Sequence, residues 1–335
     1  MSREEFAKQL LRFMSRYDRF LLSGHIRPDG DSVGVCTAMA LALQNMGKEA
    51  CIVFDGDASR YTSIVPRVPA LPEELAVKDA GKFFKTGTSY AFMMMDCSEP
   101  ERTGRAADAI MTAEASMTID HHITSKETAD FNYTEAQTGS TCEILYALFK
   151  LAQVPITQEM ATALFMGAAF DTGGFRHSNT TADTYAMAAD LKAKGVDSTF
   201  LLNYLFHTRK FIEARAMSAA LKNAKLYEGG ILISCMTQRD FFMMGMNAKD
   251  ADGVVGSLME IEEAQVACYL REIEDGLIRV NMRSRETVNV ARIAQLFGGG
   301  GHVQAAGCTV EEPMLLVKEK LLEAIRRQLT EEVKA

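Results

Sequence analysis

The chain has 335 residues, 47% apolar and 24% charged, the balance of an ordinary soluble globular protein with room for about two domains at roughly 150 residues each. A net charge of −8 argues against a broad nonspecific DNA-binding face, though not against a small phosphorylated substrate. No apolar run approaches the ~20 residues of a membrane span, and the N-terminus lacks an apolar signal-peptide core, so no membrane contact and a cytoplasmic location are expected.

Residues 4 to 17 place Phe6, Leu10, Leu11, Phe13 and Met14 near one helical face. Arg19 to His25 reads as a strand running into a loop. Ser32 is a candidate cap for a helix through Val35, Met39, Leu41 and Leu43 that stops near Gly47. Cys51 to Phe54 is a second strand, and Pro66, Pro69 and Pro72 make 64 to 73 loop-like. Ala91 to Met95 is a third strand, ending at Asp96. A helix around Ala106 to Ala113 precedes a strand from Ala115 to Ile119, which ends at Asp120-His121-His122. A weaker strand lies near Phe131 to Tyr133. Helices over Thr141 to Leu151 and Gln158 to Ala169 follow, the second leading into Asp171-Thr172-Gly173-Gly174. Apolar strands alternating with helices indicate an α/β fold with a parallel sheet covered on both faces.

From Asn179 to about Leu226 the pattern is helical, with a stop at Gly195. Strands then return at 230 to 234, 265 to 270 and 277 to 282, the last two joined by a hairpin signal at Glu274-Asp275-Gly276. Val290 to Phe297 reads as a helix broken by four glycines, Gly298 to Gly301. Pro313 to Gln328 is a final amphipathic helix. The expected organisation is a domain over 1 to 190, a helical connector over 191 to 226, and a smaller α/β domain with a mixed sheet over 227 to 335.

Ligands of open parallel sheets bind beyond the carboxyl ends of the strands. His25, Asp96 and Asp120 all stand at such ends. His25-Ile26-Arg27-Pro28-Asp29-Gly30-Asp31 sets one imidazole and two carboxylates within seven residues. Pro28 biases Arg27 toward an extended backbone, and Gly30 permits a tight turn between the acids. Asp171 ends a helix whose Gly167, Ala168 and Ala169 allow close approach to the sheet. Imidazole nitrogen mixed with carboxylate oxygen suits Mn2+, Fe2+, Co2+ or Zn2+, and paired cations are a standard device for phosphoryl hydrolysis. The seven cysteines are scattered with no C-x-x-C pair and read as buried, reduced thiols. The four glycines offer backbone N–H groups as an anion cradle, with His302 and Arg283 as further donors. Arg102, Arg105, Arg176 and His177 lie near the motifs as candidate substrate contacts, and His207 reads as structural.

His-x-x-x-Asp-x-Asp, a later isolated Asp, Asp-His-His and a fourth Asp together resemble the DHH phosphoesterases. Gly298 to His302, with Arg283-Ser284 upstream, resembles their C-terminal companion domain. The layout is similar to stand-alone oligoribonucleases (nanoRNases) that also act on 3′-phosphoadenosine-5′-phosphate. The resemblance implies two divalent ions, expected to be Mn2+, with His25, Asp29 and Asp96 on one. Asp31, Asp96, His121 and Asp171 would serve the other, with Asp96 bridging, for in-line hydroxide attack on phosphorus. It implies that His122 stabilises developing charge, that Asp120 orients a neighbouring imidazole, and that Arg283, Ser284, Gly299, Gly300, Gly301 and His302 grip the substrate. The expected partners are short oligonucleotides or small nucleotide phosphates held in a cleft between domains, not long duplex DNA, with a homodimer plausible by analogy. Cyclic or linear dinucleotide phosphodiesterase, inorganic pyrophosphatase and a noncatalytic nucleotide-binding protein are the competing readings.

Overall fold

The computed structural model describes residues 1–65, 84–251, 253–285 and 288–332, so residues 66 to 73 of the expected proline-rich loop lie outside the described residues. The chain divides into two compact units, Met1–Thr208 and Arg209–Ala335. The segment expected as a connector is thereby shared between them.

The first unit opens with α1 (Arg3–Arg16), closed at its start by a capping box between Ser2 and Glu5. There follow β1 (Arg19–Ser23), α2 (Gly30–Asn45), β2 (Glu49–Val53), α3 (Ser59–Thr62) and β3 (Ala91–Met95). A 3-10 segment (Pro100–Ala106) precedes the short α4 (Ala109–Thr112), which stands where a helix over 106 to 113 was expected. Then come β4 (Ala115–Asp120), β5 (Phe131–Thr134), α5 (Thr141–Leu151), α6 (Gln158–Asp171), α7 (Ala182–Ala193) and α8 (Ser198–Leu202). The five strands are parallel, in the order β2-β1-β3-β4-β5.

Alternation along each strand feeds two cores. Leu22, Ile52, Met93, Met95, Met117 and Ile119 face one core with α1, α2, α5 and α6. Leu21, Val53, Phe92 and Met94 face another, closed by Phe84, Tyr90, Ala106 and Ala109. Helix α2 is buried at every position from Gly30 to Leu43, which explains its nearly all-apolar sequence. The chain reverses direction across the sheet between β1 and β3, and such a switch point opens a crevice at the strand ends.

Glycines set the distance between α2 and α6. A Cβ on Gly34 would lie 2.5 Å from the Ala163 carbonyl oxygen. One on Gly167 would lie 2.3 Å from Cys142 Sγ and 2.7 Å from Asp31 Oδ1. The sequence pattern points to close approach of this small-residue stretch to the sheet; it closes instead on α2 and α5. That crossing carries Asp31 and Asp171 toward each other.

The second unit comprises α9 (Phe211–Lys222), β6 (Ala224–Tyr227), β7 (Ile231–Met236), α10 (Gln238–Met243), α11 (Val254–Leu258), β8 (Val266–Glu274), β9 (Leu277–Ser284), α12 (Val290–Leu296), β10 (Gly300–His302), β11 (Ala305–Glu311) and α13 (Met314–Glu332). Its mixed sheet runs β10-β11-β9-β8-β7-β6, with β7 and β8 parallel and the other pairs antiparallel. Strand β6 lies where the helical pattern was expected to continue. Val280, Met282, Ile293, Val317 and Leu321 pack on one face of the sheet. Leu232, Ala267 and Tyr269 pack on the other with Phe241, Val255 and Leu258.

The crossing of α2 and α6 yields a stability prediction. Alanine at position 34 gains up to about 1 kcal/mol of helix propensity. It also forces a Cβ onto a backbone carbonyl that cannot swing aside, an overpacking cost of about 1–3 kcal/mol. Gly34→Ala is expected to lower the calorimetric unfolding temperature; an unchanged or higher temperature would contradict the crossing.

Candidate metal centre

Strand β1 delivers His25 at its carboxyl end. Its Nδ1 lies 2.9 Å from the Ile26 carbonyl oxygen, a partner to which only a protonated nitrogen can donate. That fixes the tautomer that presents Nε2 as a ligand. Nε2 lies 3.4 Å from Asp29 Oδ2 and 3.4 Å from Asp96 Oδ2. Asp29, not Ser32, caps α2: its Oδ1 accepts from the Asp31 and Ser32 N–H groups, each at 3.0 Å. One oxygen of Asp29 thus serves the helix and the other faces His25. Arg27 has φ +57°, against the extended conformation expected before Pro28. The Ile26 and Arg27 N–H groups donate to the carbonyls of Arg102 and Asp55, and these bonds override the local bias. Gly30 makes no turn; it starts α2, where a Cβ would lie 2.6 Å from the Phe170 side chain.

Asp31 is fully buried, yet its neighbours are suited to a carboxylate. The first turn of α5 points two N–H groups at it, Thr141 to Oδ2 at 2.7 Å and Cys142 to Oδ1 at 3.0 Å. The positive end of a helix dipole reinforces those bonds. Asp96 ends β3 with φ +61°, a backbone region that Asp and Asn tolerate better than most residues. Its Oδ1 accepts from the Thr141 hydroxyl at 2.9 Å and lies 3.6 Å from His121 Nε2. His121 Nε2 also lies 3.1 Å from Asp171 Oδ2.

Asp120, at the end of β4, behaves differently. Its Oδ1 accepts from the N–H groups of His121 and His122 and from His122 Nδ1, the last at 2.7 Å. Burial works against the Asp120 anion, but the bonds from His122 outweigh it and hold the carboxyl below its usual range. His122 Nδ1 is thereby occupied, and Nε2 lies outside that bond.

Ligand atoms of His25, Asp29 and Asp96 lie within 4.8 Å of one another, as do those of Asp31, His121 and Asp171. A third such group joins Asp96 to His121 and His122. Asp96 therefore stands between the two sets. Burial, and then the charge of Asp31, pushes both Asp96 and Asp171 up to about 7. Burial opposes the charged imidazoles, yet hydrogen bonds to the carboxylates raise His25 to about 11 and His121 to about 10. Four crowded carboxylates require positive charge, which protonated imidazoles supply in the free protein and divalent cations can supply better. The donor set and its separations fit such ions.

The second unit places Arg283 and His302 in one cross-strand row, with Ala305 paired to both. Arg283 is half-buried, and burial pulls its guanidinium below its ordinary value. The side chain of His302 lies outside the described residues. Ser284 is buried, and its hydroxyl donates to the Val288 carbonyl at 2.6 Å. The glycine run is not the open cradle expected. The Gly298 and Gly299 N–H groups donate to the Gln295 and Ala294 carbonyls and close α12. Gly299 and Gly301 then pack against β11, where a Cβ would lie 2.3 Å from the Gly307 carbonyl oxygen and 2.4 Å from that of Ala305. Gly300 alone of the three opens on free space. Among the other candidates, Arg105 Nε donates to the Phe54 carbonyl, and Arg176 Nε donates to that of Gly173. His177 Nδ1 lies 3.2 Å from the Asp171 carbonyl oxygen, beside the centre.

Thr141 escaped the sequence reading. The signal was present in Ser140-Thr141-Cys142-Glu143, a helix-start pattern whose first turn had no assigned partner.

A parallel-sheet unit with this His/Asp centre, followed by a mixed-sheet unit, defines a phosphoesterase of the hydrolase class. Residues 19–168 match the DHH family, N-terminal domain, and residues 231–333 match the DHHA1 domain. The chain belongs to the DHH family. It is 31% identical to the "Bifunctional oligoribonuclease and PAP phosphatase NrnA" of Thermus thermophilus, over 92% of this chain and 90% of that protein. It is 25% identical to the Bacillus subtilis protein of the same name, over 90% of this chain and 92% of that one. An exopolyphosphatase-related protein from Bacteroides fragilis shares the fold, with a TM-score of 0.85 at 21% identity over 97% of this chain and 95% of that one. Among the described residues no helix is long and apolar enough to cross a membrane.

Cation binding to the folded protein stabilises it by mass action, about 2.7 kcal/mol at 100-fold above Kd. Mn2+ is expected to raise the unfolding temperature of the wild type. Asp96→Asn suits the left-handed backbone but removes the charge, and it is expected to lose most of that rise. An equal rise in both proteins would remove Asp96 from the centre.

Proposed function

We propose that the chain is a metal-dependent phosphodiesterase that hydrolyses short oligoribonucleotides to mononucleotides and also acts on 3′-phosphoadenosine-5′-phosphate. Two divalent ions, Mn2+ by preference, are the cofactor. The observation that carries the reading is the pair of ligand groups His25-Asp29-Asp96 and Asp31-His121-Asp171, with Asp96 Oδ1 of the first 3.6 Å from His121 Nε2 of the second. It occurs in a chain matched over nine-tenths of its length by a relative named for both activities.

His25, Asp29 and Asp96 would hold one ion, and Asp31, Asp96, His121 and Asp171 the other. Bound ions supply Lewis acidity, activating water and neutralising charge on the phosphoryl group. The protein's own part is positional. Asp120 fixes the His122 ring through Nδ1. In its doubly protonated form the ring would also donate Nε2–H to a phosphate oxygen as negative charge grows there, a contact that tightens toward the transition state. Arg283, in the row it shares with His302, would contact the substrate through its guanidinium. Gly300 would allow close backbone approach. Gly299, Gly301 and Ser284 act on the substrate only by shaping this edge of the sheet.

A panel in Mn2+ tests the substrate class: dinucleotide and pentanucleotide RNA, 3′-phosphoadenosine-5′-phosphate, cyclic and linear di-adenylate, and pyrophosphate. Turnover is expected to be fastest on the short RNAs. Preference for cyclic di-adenylate or pyrophosphate would overturn the assignment. Tight dinucleotide binding without turnover would identify a noncatalytic binder.

The two histidines separate by readout. His122→Ala is expected to lower kcat by about 100-fold or more with bound metal retained. His121→Ala is expected to lower both kcat and metal content. If His122→Ala loses metal equally, its imidazole is a ligand. Arg283→Ala is expected to raise KM for a dinucleotide more than it lowers kcat, and an unchanged KM would remove Arg283 from the substrate site.

A further inference from the structure

The turn Gly139 to Cys142 reaches both ligand groups of the centre. The Thr141 and Cys142 N–H groups hold Asp31. The Thr141 hydroxyl holds Asp96 at 2.9 Å. The Asn179 side-chain amide donates to the Gly139 carbonyl at 3.0 Å and to the Asp171 main-chain carbonyl at 3.4 Å, tying the same turn to the backbone that carries the third aspartate. The turn is itself clamped. Ser140 caps α5 by accepting from the Glu143 N–H. The buried Glu143 carboxylate accepts from the Gly139 N–H and, at 2.7 Å, from the Thr184 hydroxyl at the start of α7. Thr141 is fully buried, so its hydroxyl has no access to bulk water and a fixed partner in Asp96.

We infer that Thr141 is a positioning residue for the metal centre, its hydroxyl orienting the Asp96 carboxylate so that the two ligand groups share it. The inference rests on the metal-dependent reading above. A carboxylate that must face two ions needs its torsion fixed, because rotation would favour one group over the other. The β3 backbone fixes where Asp96 begins, but the side chain still turns about its own bonds. The hydroxyl supplies the constraint that the strand does not. Partners of this kind typically change metal affinity or activity 10- to 100-fold when removed. Valine or serine at position 141 keeps the backbone N–H that bonds Asp31, so these substitutions isolate the contact to Asp96.

The test compares wild type, Thr141→Val and Thr141→Ser by calorimetric Mn2+ titration, Mn2+ electron paramagnetic resonance and dinucleotide turnover. Valine keeps the volume and removes the donor; serine keeps the donor. Wild type and Thr141→Ser are expected to bind two ions and give the spectrum of an exchange-coupled pair. Thr141→Val is expected to bind one of the two about 10- to 100-fold more weakly, to show isolated-ion signals at the same loading, and to lose kcat in proportion. Melting of the metal-free proteins separates folding from positioning. A Thr141→Val protein with wild-type affinities and coupling overturns the inference, as does a loss of binding that serine fails to restore. A wild type that binds no Mn2+ pair refutes the metal-dependent reading instead.

Discussion

Everything at the centre depends on holding mutually repelling carboxylates in one buried patch. Asp31 and Asp96 are shielded from solvent, and like charges at short range in a poor dielectric repel strongly. The first unit meets this with three kinds of positive partner. Helix α5 offers backbone N–H groups to Asp31, the imidazoles of His25 and His121 face Asp96 and Asp171, and the donor atoms leave positions for cations. Packing and electrostatics are therefore one problem here. The glycine-lined crossing of α2 and α6 buries apolar surface only by drawing Asp31 and Asp171 together.

Asp96 and Asp120 illustrate how surroundings divide similar residues. Both end parallel strands and both are almost fully buried. Asp120 receives three N–H donors on one oxygen and stays a stable anion that orients an imidazole. Asp96 receives one hydroxyl, and burial, followed by the charge of Asp31, pushes its carboxyl up to about 7. The first environment suits a permanent partner and the second a ligand, as expected when opposing surroundings separate acid roles.

The strand ends were legible in the sequence because continuous apolar runs stop abruptly at a polar residue, as at Met95-Asp96 and Ile119-Asp120. The gathering of His25, Asp96 and Asp120 on one edge follows from parallel order alone. What was not legible depends on tertiary contacts. The cap is a local exception: Asp29 rather than Ser32 fills it because its side chain reaches forward to the N–H groups two and three residues on. Arg27 left its preferred region because two backbone bonds hold the loop. The small residues of α6 signalled close packing but not the partner, which is a helix rather than the sheet. Helices α10 and α11 are too short to show a clear period. Thr141 was hidden because a threonine opening a helix is unremarkable until the two aspartates beside it are seen.

The glycine run of the second unit bears on how variants of this family should be interpreted. Gly298 and Gly299 end α12, and Gly299 and Gly301 lie against β11 with no room for a methyl group. Their invariance in any comparison of sequences would therefore measure a folding requirement, whatever the loop contributes to binding. Gly300, with free space around it, is the position at which a side chain tests ligand contact without first testing assembly of the sheet edge. Within one short motif, then, neighbouring letters stand under different physical constraints: three are held by the architecture and one is not.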